Sequence, residues 1–339
     1  METIYIAAGG TAGHINAAKA LGQEYKKKYN VLYITGVRHL DYKLFKDENV
    51  FHLNSKPLRG TNPFSLIINL FLNMLMFFKL IFKSIKDRPK FLLGAGGYVC
   101  GPTLLAGYFT GRSIFILEQN AFVGLTNKLL ARFAKKIFVN FEVTKGLESN
   151  SKTVLSGNPI RKTIKFSEQK LDGKIKVLVY GGSLGSKQIN DAVSLLAEDQ
   201  KYNILHQVGK ADSENLISVG NYKQVEYIDD MQKAYDWANV IIARAGASTV
   251  SELKVVSKPC ILIPFPNHAD NHQVYNAEEL KRSSEFPVFP LDKDLYKNEL
   301  KSKIDESIGR IDFTKKYQPF IEKNSPYEVI EKVIKECME

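Results

Sequence analysis

The sequence predicts an α/β protein of two domains, each a doubly wound parallel sheet. Three observations predict it. Short, uninterrupted apolar runs alternate with helical stretches, as strands buried on both faces require. That rhythm breaks near Ser156-Gly157-Asn158-Pro159, where Gly and Pro punctuate the chain, and restarts at Lys176. A length of 339 residues suits two domains of ordinary size.

Ile4–Ala8 reads as the first strand. The opening METIYIAAGG has no basic stretch ahead of a long apolar core, so it does not read as a signal peptide. A helix over Ile15–Tyr29 follows, then strands Val31–Thr35, Phe91–Gly94, Ser113–Leu117 and Lys136–Val139, with a helix over Leu125–Ala134. The second series has strands Lys176–Tyr180, Ile204–Gln207, Val225–Ile228, Val240–Ala243 and Cys260–Pro264. Pro319–Glu339 reads as one or two helices. Residues 64–82 are the most apolar stretch and approach the ~20 residues that span a bilayer. Asn69, Asn73 and Lys79 interrupt them, and they lie between two strands of one sheet, which argues for a crossover helix rather than a span. Its outer face, flanked by Lys79, Lys83, Lys86, Arg88 and Lys90, suits an anionic membrane surface.

Hydrophobic residues at 44% and charged ones at 24% exclude a disordered chain and a multi-span membrane protein. A net charge of +11 fits either lysine-decorated solvated faces or an anionic partner. Without a zinc finger, an aromatic-interleaved RNA motif or a basic helix run, nucleic acid is not expected. Cys100, Cys260 and Cys337 lie far apart with no CxxC pair, which fits a reducing cytoplasm and no disulfide framework. His268 and His272 have a zinc-compatible spacing but no third ligand at hand, so no metal site is expected.

Four glycine-bearing loops follow strands: Gly9-Gly10-Thr11-Ala12-Gly13-His14, Gly94-Ala95-Gly96-Gly97-Tyr98, Gly181-Gly182-Ser183-Leu184-Gly185-Ser186 and Arg244-Ala245-Gly246-Ala247-Ser248-Thr249. Ligands of open α/β sheets bind at these strand ends, where glycine admits an oxyanion to the backbone and the next helix offers N–H groups. None is GxGxxG or GxxxxGK[ST], which disfavours a dinucleotide oxidoreductase and a P-loop ATPase. Phosphate loops in both domains suggest a nucleotide diphosphate on one and a second ligand on the other.

These motifs resemble the MurG family: GGTAGH at 9–14, GAGGYVCGP at 94–102, EQNAFVGLTNKLLARFA at 118–134, GNPIR at 157–161, GGSLGS at 181–186, HQVGK at 206–210, YIDDM at 227–231, RAGASTVSEL at 244–253 and PFPNHADNHQVYNA at 264–277. The resemblance runs over residues about 1–280. It implies a GT-B glycosyltransferase, two Rossmann-like domains with an interdomain cleft. The implied reaction is inverting: GlcNAc passes from UDP-GlcNAc to the muramyl C4 hydroxyl of undecaprenyl-pyrophosphoryl-MurNAc-pentapeptide (lipid I), giving lipid II. No cofactor and no obligatory metal ligand are implied. The expected place is peripheral, on the cytoplasmic side of the anionic inner membrane. Residues 1–157 would be the acceptor and membrane-binding domain, 158–319 the UDP-GlcNAc-binding domain, and a helix at about 320–339 would return to the first. A UDP-sugar epimerase of the same architecture and a non-catalytic membrane-surface protein are the rival readings.

By the same resemblance, Thr11, Ala12, Gly13, Asn120, Arg161, Ser183, Ile228, Ala247, Ser248, Thr249, Val250, Ser251, Glu252 and Gln273 would contact UDP-GlcNAc, with Glu252 on the ribose hydroxyls. Gly10, Gly96, Gly97 and Tyr98 would bind the acceptor. His14, the one histidine inside a glycine loop, and Glu118, at a strand end, are the two candidates for the general base. Three departures from the family pattern stand out: Ala12 in place of glycine, Leu117 in place of a frequent histidine, and Asn16-Ala17 in place of an apolar-Pro pair.

Overall fold

The computed structural model describes residues 1–56, 63–182, 185–266, 271–320 and 325–339. The chain divides into two compact units: Met1–Arg161 with Lys323–Glu339, and Lys162–Glu322. The division thus falls just beyond the Gly157 at which the sequence pattern breaks.

In the first unit the order is β1 (Thr3–Ala7), α1 (Ala12–Tyr25), β2 (Asn30–Thr35), α2 (His39–Leu44), β3 (Val50–His52), α3 (Pro63–Asp87), β4 (Phe91–Gly94), α4 (Cys100–Phe109), β5 (Ser113–Glu118), α5 (Leu125–Leu130), β6 (Lys136–Val139) and β7 (Thr153–Leu155). The described strands form one parallel sheet in the order β3-β2-β1-β4-β5-β6-β7. Strand order reverses between β1 and β4, which places the doubly wound crevice at the ends of those two strands. Alternate residues of the apolar strands face opposite layers, as the pleat dictates. Ile4, Ile6, Leu93, Phe115 and Leu117 enter one core, and Tyr5, Ala7, Leu92, Ile114 and Ile116 the other.

The second unit runs β8 (Ile175–Tyr180), α6 (Lys187–Leu196), β9 (Tyr202–Gln207), β10 (Ser218–Val219), β11 (Tyr222–Val225), α7 (Met231–Trp237), β12 (Val240–Ala243), α8 (Ala247–Val256), β13 (Cys260–Leu262), α9 (His272–Ser283), β14 (Val288–Pro290) and α10 (Lys297–Gly309). Its sheet is β10-β11-β9-β8-β12-β13-β14, with only β10 antiparallel, so the reversal lies between β8 and β12. The last helix, α11 (Pro326–Met338), packs on the first unit. A Ser325/Glu328 capping box starts it, Ile330 and Ile334 enter the core beside Tyr25 and Phe91, and Glu331 pairs with Lys28.

Two sequence expectations shift. The strand expected at Val225–Ile228 lies earlier, at Tyr222–Val225, where Lys223 and Gln224 interrupt the apolar run and Tyr222 alone is buried. The three-residue edge strands β3, β7 and β14 carry too short a pattern to read.

Helix α3 sits on its own unit by one face. The Asn73 carboxamide accepts from Ser55 Oγ at 2.6 Å and Lys56 N at 2.9 Å and donates to Lys56 O at 2.9 Å. Leu80 is buried, Ser84 Oγ meets Thr110 Oγ1 at 2.7 Å, and Tyr5 Oη donates to Asp87 at 2.7 Å. The other face is open: Phe64, Ile67, Phe71, Phe78, Phe82 and Ile85 are all exposed. Leu66–Asp87 is long and apolar enough to cross a membrane by length and composition, yet its Asn73 and Ser84 bonds anchor it as a crossover between β3 and β4.

Candidate functional site

The β1 and β4 loops meet at the crevice of the first sheet. Gly9 N donates to Gly96 O at 3.2 Å and Ala95 N to Ala7 O at 2.8 Å, so the two loops are sewn together. Thr11 caps α1, its hydroxyl accepting from His14 N at 3.4 Å. Ala12 and Gly13 form the first turn of that helix, and Ala12 is half-buried. Glycine is required at two positions here. A Cβ on Gly97 would lie 2.1 Å from Gly9 O, and one on Gly96 would lie 2.6 Å from His14 Cδ2 and 2.8 Å from Nε2. Both glycines have φ near +100°, a region costly for other residues.

The His14 ring is therefore seated on a surface that only glycine leaves clear. Its Nδ1 lies 3.2 Å from Gly9 O. A carbonyl can only accept, so the proton of a neutral ring sits on Nδ1 and the lone pair on Nε2. Tyr98 lies alongside, its ring 4.9 Å from the Arg38 guanidinium, and Arg38 reaches Gly10 O at 3.5 Å. Burial, with Asp41 nearby, pushes the Tyr98 hydroxyl above its usual range.

Glu118 ends β5 beside this crevice but turns back into its own loop. It is 2% exposed. Oε1 accepts from Asn120 N at 3.0 Å and Asn120 Nδ2 at 3.3 Å; Oε2 accepts from Gly124 N at 3.0 Å and Asn127 Nδ2 at 2.9 Å. The carboxylate thus shapes the loop 119–127. Gln119 adds a tie, donating to Ala95 O at 2.8 Å. Leu117, one residue earlier, points to the opposite layer and is fully buried.

In the second unit the corresponding crevice lies between β8 and β12. Gly182 and Gly185 have positive φ, and a Cβ on Gly185 would stand 1.9 Å from Val208 O. Ser186 caps α6 and accepts from Ile189 N at 3.4 Å. Arg244, at the end of β12, donates to Ser186 Oγ at 2.6 Å, Ile263 O at 3.0 Å and Pro264 O at 2.8 Å. It is buried, and burial pushes its guanidinium down to about 10. One cation thereby joins the loops after β8, β12 and β13. Gln207 does the same with a neutral amide. Its Nε2 donates to Gly182 O and its Oε1 accepts from Ile228 N, each at 2.9 Å.

Gly246 precedes α8, and the first turn of that helix, Ala247-Ser248-Thr249, carries no acidic side chain beside its main-chain N–H groups. Val250 is buried, and Ser251 bonds back to Ala247 O at 2.8 Å. Glu252 is half-buried and accepts from Tyr235 Oη at 2.8 Å; Tyr180 Oη lies 3.0 Å from Tyr235 Oη. Gln273, in the first turn of α9, accepts from Phe265 N at 3.0 Å, which fixes its carboxamide beside the loop after β13. Arg161 is half-buried and ends the first of the two segments that make up the first unit. Ser183 and His268 lie outside the described residues.

Sequence reasoning missed Gln119, Gln207, Arg244, Tyr180 and Tyr235. Gln207 and Arg244 did carry a signal: each is a long polar residue closing an apolar strand at the loop-bearing end, where no partner in sequence can satisfy it.

The comparisons agree along the chain. The glycosyltransferase family 28 N-terminal domain matches residues 4–139 and the family 28 C-terminal domain residues 176–331. A UDP-N-acetylglucosamine--N-acetylmuramyl-(pentapeptide) pyrophosphoryl-undecaprenol N-acetylglucosamine transferase from Shewanella loihica is 36% identical over 301 residues, covering 82% of this chain and 81% of its own. The like-named protein of a Sulfurihydrogenibium species is 31% identical over 346 residues, 98% of each chain. The crystal structure of Acinetobacter baumannii MurG superposes with a TM-score of 0.72 at 24% identity, over 91% of each chain. Two parallel-sheet α/β units that match both family 28 domains make the architecture GT-B. With relatives above 30% identity over most of its length, the chain belongs to the MurG family of glycosyltransferases.

Proposed function

We infer that this protein is the hexosyltransferase that moves GlcNAc from UDP-GlcNAc to the muramyl C4 hydroxyl of undecaprenyl-pyrophosphoryl-MurNAc-pentapeptide, the step of peptidoglycan synthesis that converts lipid I to lipid II. One observation carries the reading: identity above 30% extends over 98% of both chains to a relative whose name states this transfer. The epimerase and non-catalytic readings have no comparable support.

The geometry suits the roles. His14 is assigned as the base: Gly9 O holds its Nδ1 proton, and Nε2 takes the C4 hydroxyl proton as the oxygen attacks the anomeric carbon. The bond from that carbon to UDP breaks as the new one forms, inverting the centre. Charge growing on the departing diphosphate meets the Gly181–Ser186 loop, including Ser183, and the N-terminus of α8 at Ala247, Ser248 and Thr249. Val250 and Ser251 shape that turn. Glu252 holds the ribose, Ile228 and Arg161 the nucleoside region, and Gln273 the sugar hydroxyls. Thr11, Ala12, Gly13 and Asn120 are assigned to the donor, and Gly10, Gly96, Gly97 and Tyr98 to the acceptor pyrophosphate. Glu118 positions Asn120 and does not take the proton.

The open face of α3 fits peripheral docking on the cytoplasmic side of an anionic membrane, where the prenyl chain of the acceptor resides. Lys83 and Lys90 are paired with Asp87 and Glu2, so Lys79, Lys86 and Arg88 carry more of the electrostatic attraction. Transfer of radiolabelled GlcNAc to a short-prenyl lipid I analogue tests the function; no labelled disaccharide-lipid product from folded protein would refute it.

A further inference from the structure

The geometry points to Tyr235 as a positioning residue for the donor's ribose, acting through Glu252; the inference rests on the donor assignment of Glu252 above. Tyr235 is wholly buried in α7, and its hydroxyl reaches Glu252 Oε2 at 2.8 Å. A carboxylate has no proton to give, so Tyr235 donates. Its oxygen then accepts from Tyr180 Oη, 3.0 Å away. The chain of bonds has one direction, Tyr180 to Tyr235 to Glu252, and each link polarises the next.

Tyr235 is also fixed from the backbone side. The ammonium of Lys258, itself wholly buried, donates to Tyr235 O at 2.7 Å, Asp236 O at 3.2 Å and Ala238 O at 2.6 Å at the carboxyl end of α7. Tyr235 is thus held by its main-chain carbonyl and by its hydroxyl. The consequence falls on Glu252, which stands half-buried on α8 with three side-chain torsions to set. Anchoring Oε2 restricts those torsions, so the carboxylate meets two ribose hydroxyls without first losing rotamer freedom. Tyr180 sits at the last position of β8, directly before Gly181, so the same chain ties the ribose carboxylate to the root of the diphosphate loop.

The test compares the binding of UDP and 2′-deoxy-UDP by calorimetry, and the kcat and KM of UDP-GlcNAc transfer, for wild type, Tyr235→Phe, Tyr180→Phe, Glu252→Ala and the Tyr235→Phe/Glu252→Ala double variant. Loss of a hydrogen bond to a charged group predicts that Tyr235→Phe cuts the preference for UDP about tenfold and raises KM in proportion, with kcat within about twofold. Tyr180→Phe shifts the preference the same way by about two- to threefold, and the double variant matches Glu252→Ala alone. A general packing defect would lower kcat and melting temperature without touching the ribose preference. If Glu252→Ala removes the preference and Tyr235→Phe leaves it intact, the positioning role is overturned and the ribose assignment stands. If Glu252→Ala itself leaves the preference unchanged, both fall. Should Tyr235→Phe not fold, Tyr180→Phe decides, and an unchanged preference refutes the relay.

Discussion

Gly96→Ala puts the assignment of His14 under direct strain. The added methyl would lie 2.6 Å from His14 Cδ2 and 2.8 Å from Nε2, so the ring must retreat by about 0.8 Å to regain ordinary contact. Its Nδ1···Gly9 O bond, already 3.2 Å, does not survive that movement intact. Misplacing a reacting group by this much costs about 10²-fold in rate. Alanine at φ +107° also strains the backbone by about 1–3 kcal/mol. Gly111→Ala separates the two effects, because Gly111 also has positive φ (+71°) but no atom within 4 Å of its Cβ position. The assay is steady-state transfer to a soluble lipid I analogue, with melting temperature measured in parallel. Gly96→Ala should lose about 10²-fold in kcat, whereas Gly111→Ala should lose stability alone. A folded Gly96→Ala enzyme within threefold of wild-type kcat would sink the argument that this ring takes the proton.

Three further outcomes follow from the geometry. His206, buried between Tyr222 Oη at 2.8 Å and Asn190 Oδ1 at 3.0 Å, is pushed down to about 4 by burial. The unfolded chain binds that proton near pH 6.5 and the folded one does not, so stability is full above 6.5 and falls as pH drops toward 4, by about 3 kcal/mol at most. Urea unfolding of wild type and His206→Gln across that window checks it: the variant's curve should be flatter, and parallel curves would refute it. Lys258→Met leaves three buried carbonyls at the end of α7 without their donor, and denaturant melts should show a loss of about 3 kcal/mol or more. Phe82→Ser on the open face of α3 should weaken binding to phosphatidylglycerol vesicles roughly tenfold while leaving turnover on a short-prenyl acceptor unchanged, since burying a Phe is worth about 1.5–3 kcal/mol; equal vesicle binding would remove that face from the docking surface.

The parallel strands were readable because burial on both sides forbids polar interruption, so Ile4–Ala7 and Val240–Ala243 announce themselves as apolar runs. The strands toward the edges were not: Tyr222–Val225 carries the adjacent polar pair Lys223-Gln224 in place of an apolar run, and three-residue strands carry no period. Gly96, Gly97 and Gly185 were legible as loop glycines, though only the coordinates tell what each makes room for: the His14 ring, Gly9 O and Val208 O. Tyr235 was invisible for a different reason. A tyrosine in an amphipathic helix reads as core, and its use depends on where its hydroxyl ends in three dimensions. Glu252 and Tyr235 are seventeen positions apart and meet through two helices, α7 and α8, that sequence cannot orient.

The same hydrogen-bond geometry is the ground for proposing His14 over Glu118 as the base, a choice the sequence left open. A carboxylate offers about four lone-pair sites, two on each oxygen. Glu118 has all of them filled, by Asn120 N, Asn120 Nδ2, Gly124 N and Asn127 Nδ2. To take a proton it must release one of these donors, and the donor so released is a main-chain or carboxamide N–H left in a buried loop. Proton transfer would then be coupled to dismantling the loop that carries Asn120. His14 is held differently. Its bond to Gly9 O uses the nitrogen that already bears hydrogen, and protonation of Nε2 leaves that bond in place and strengthens it, because a cationic ring donates more strongly to the carbonyl. His14→Ala and Glu118→Gln should therefore fail differently. The first lowers kcat and flattens the acid limb of its pH profile. The second weakens the loop and raises KM for the donor, because a carboxamide turns an N–H toward one of the four donors it replaces an acceptor for. A Glu118→Gln enzyme that loses the acid limb and keeps its KM would reverse the assignment.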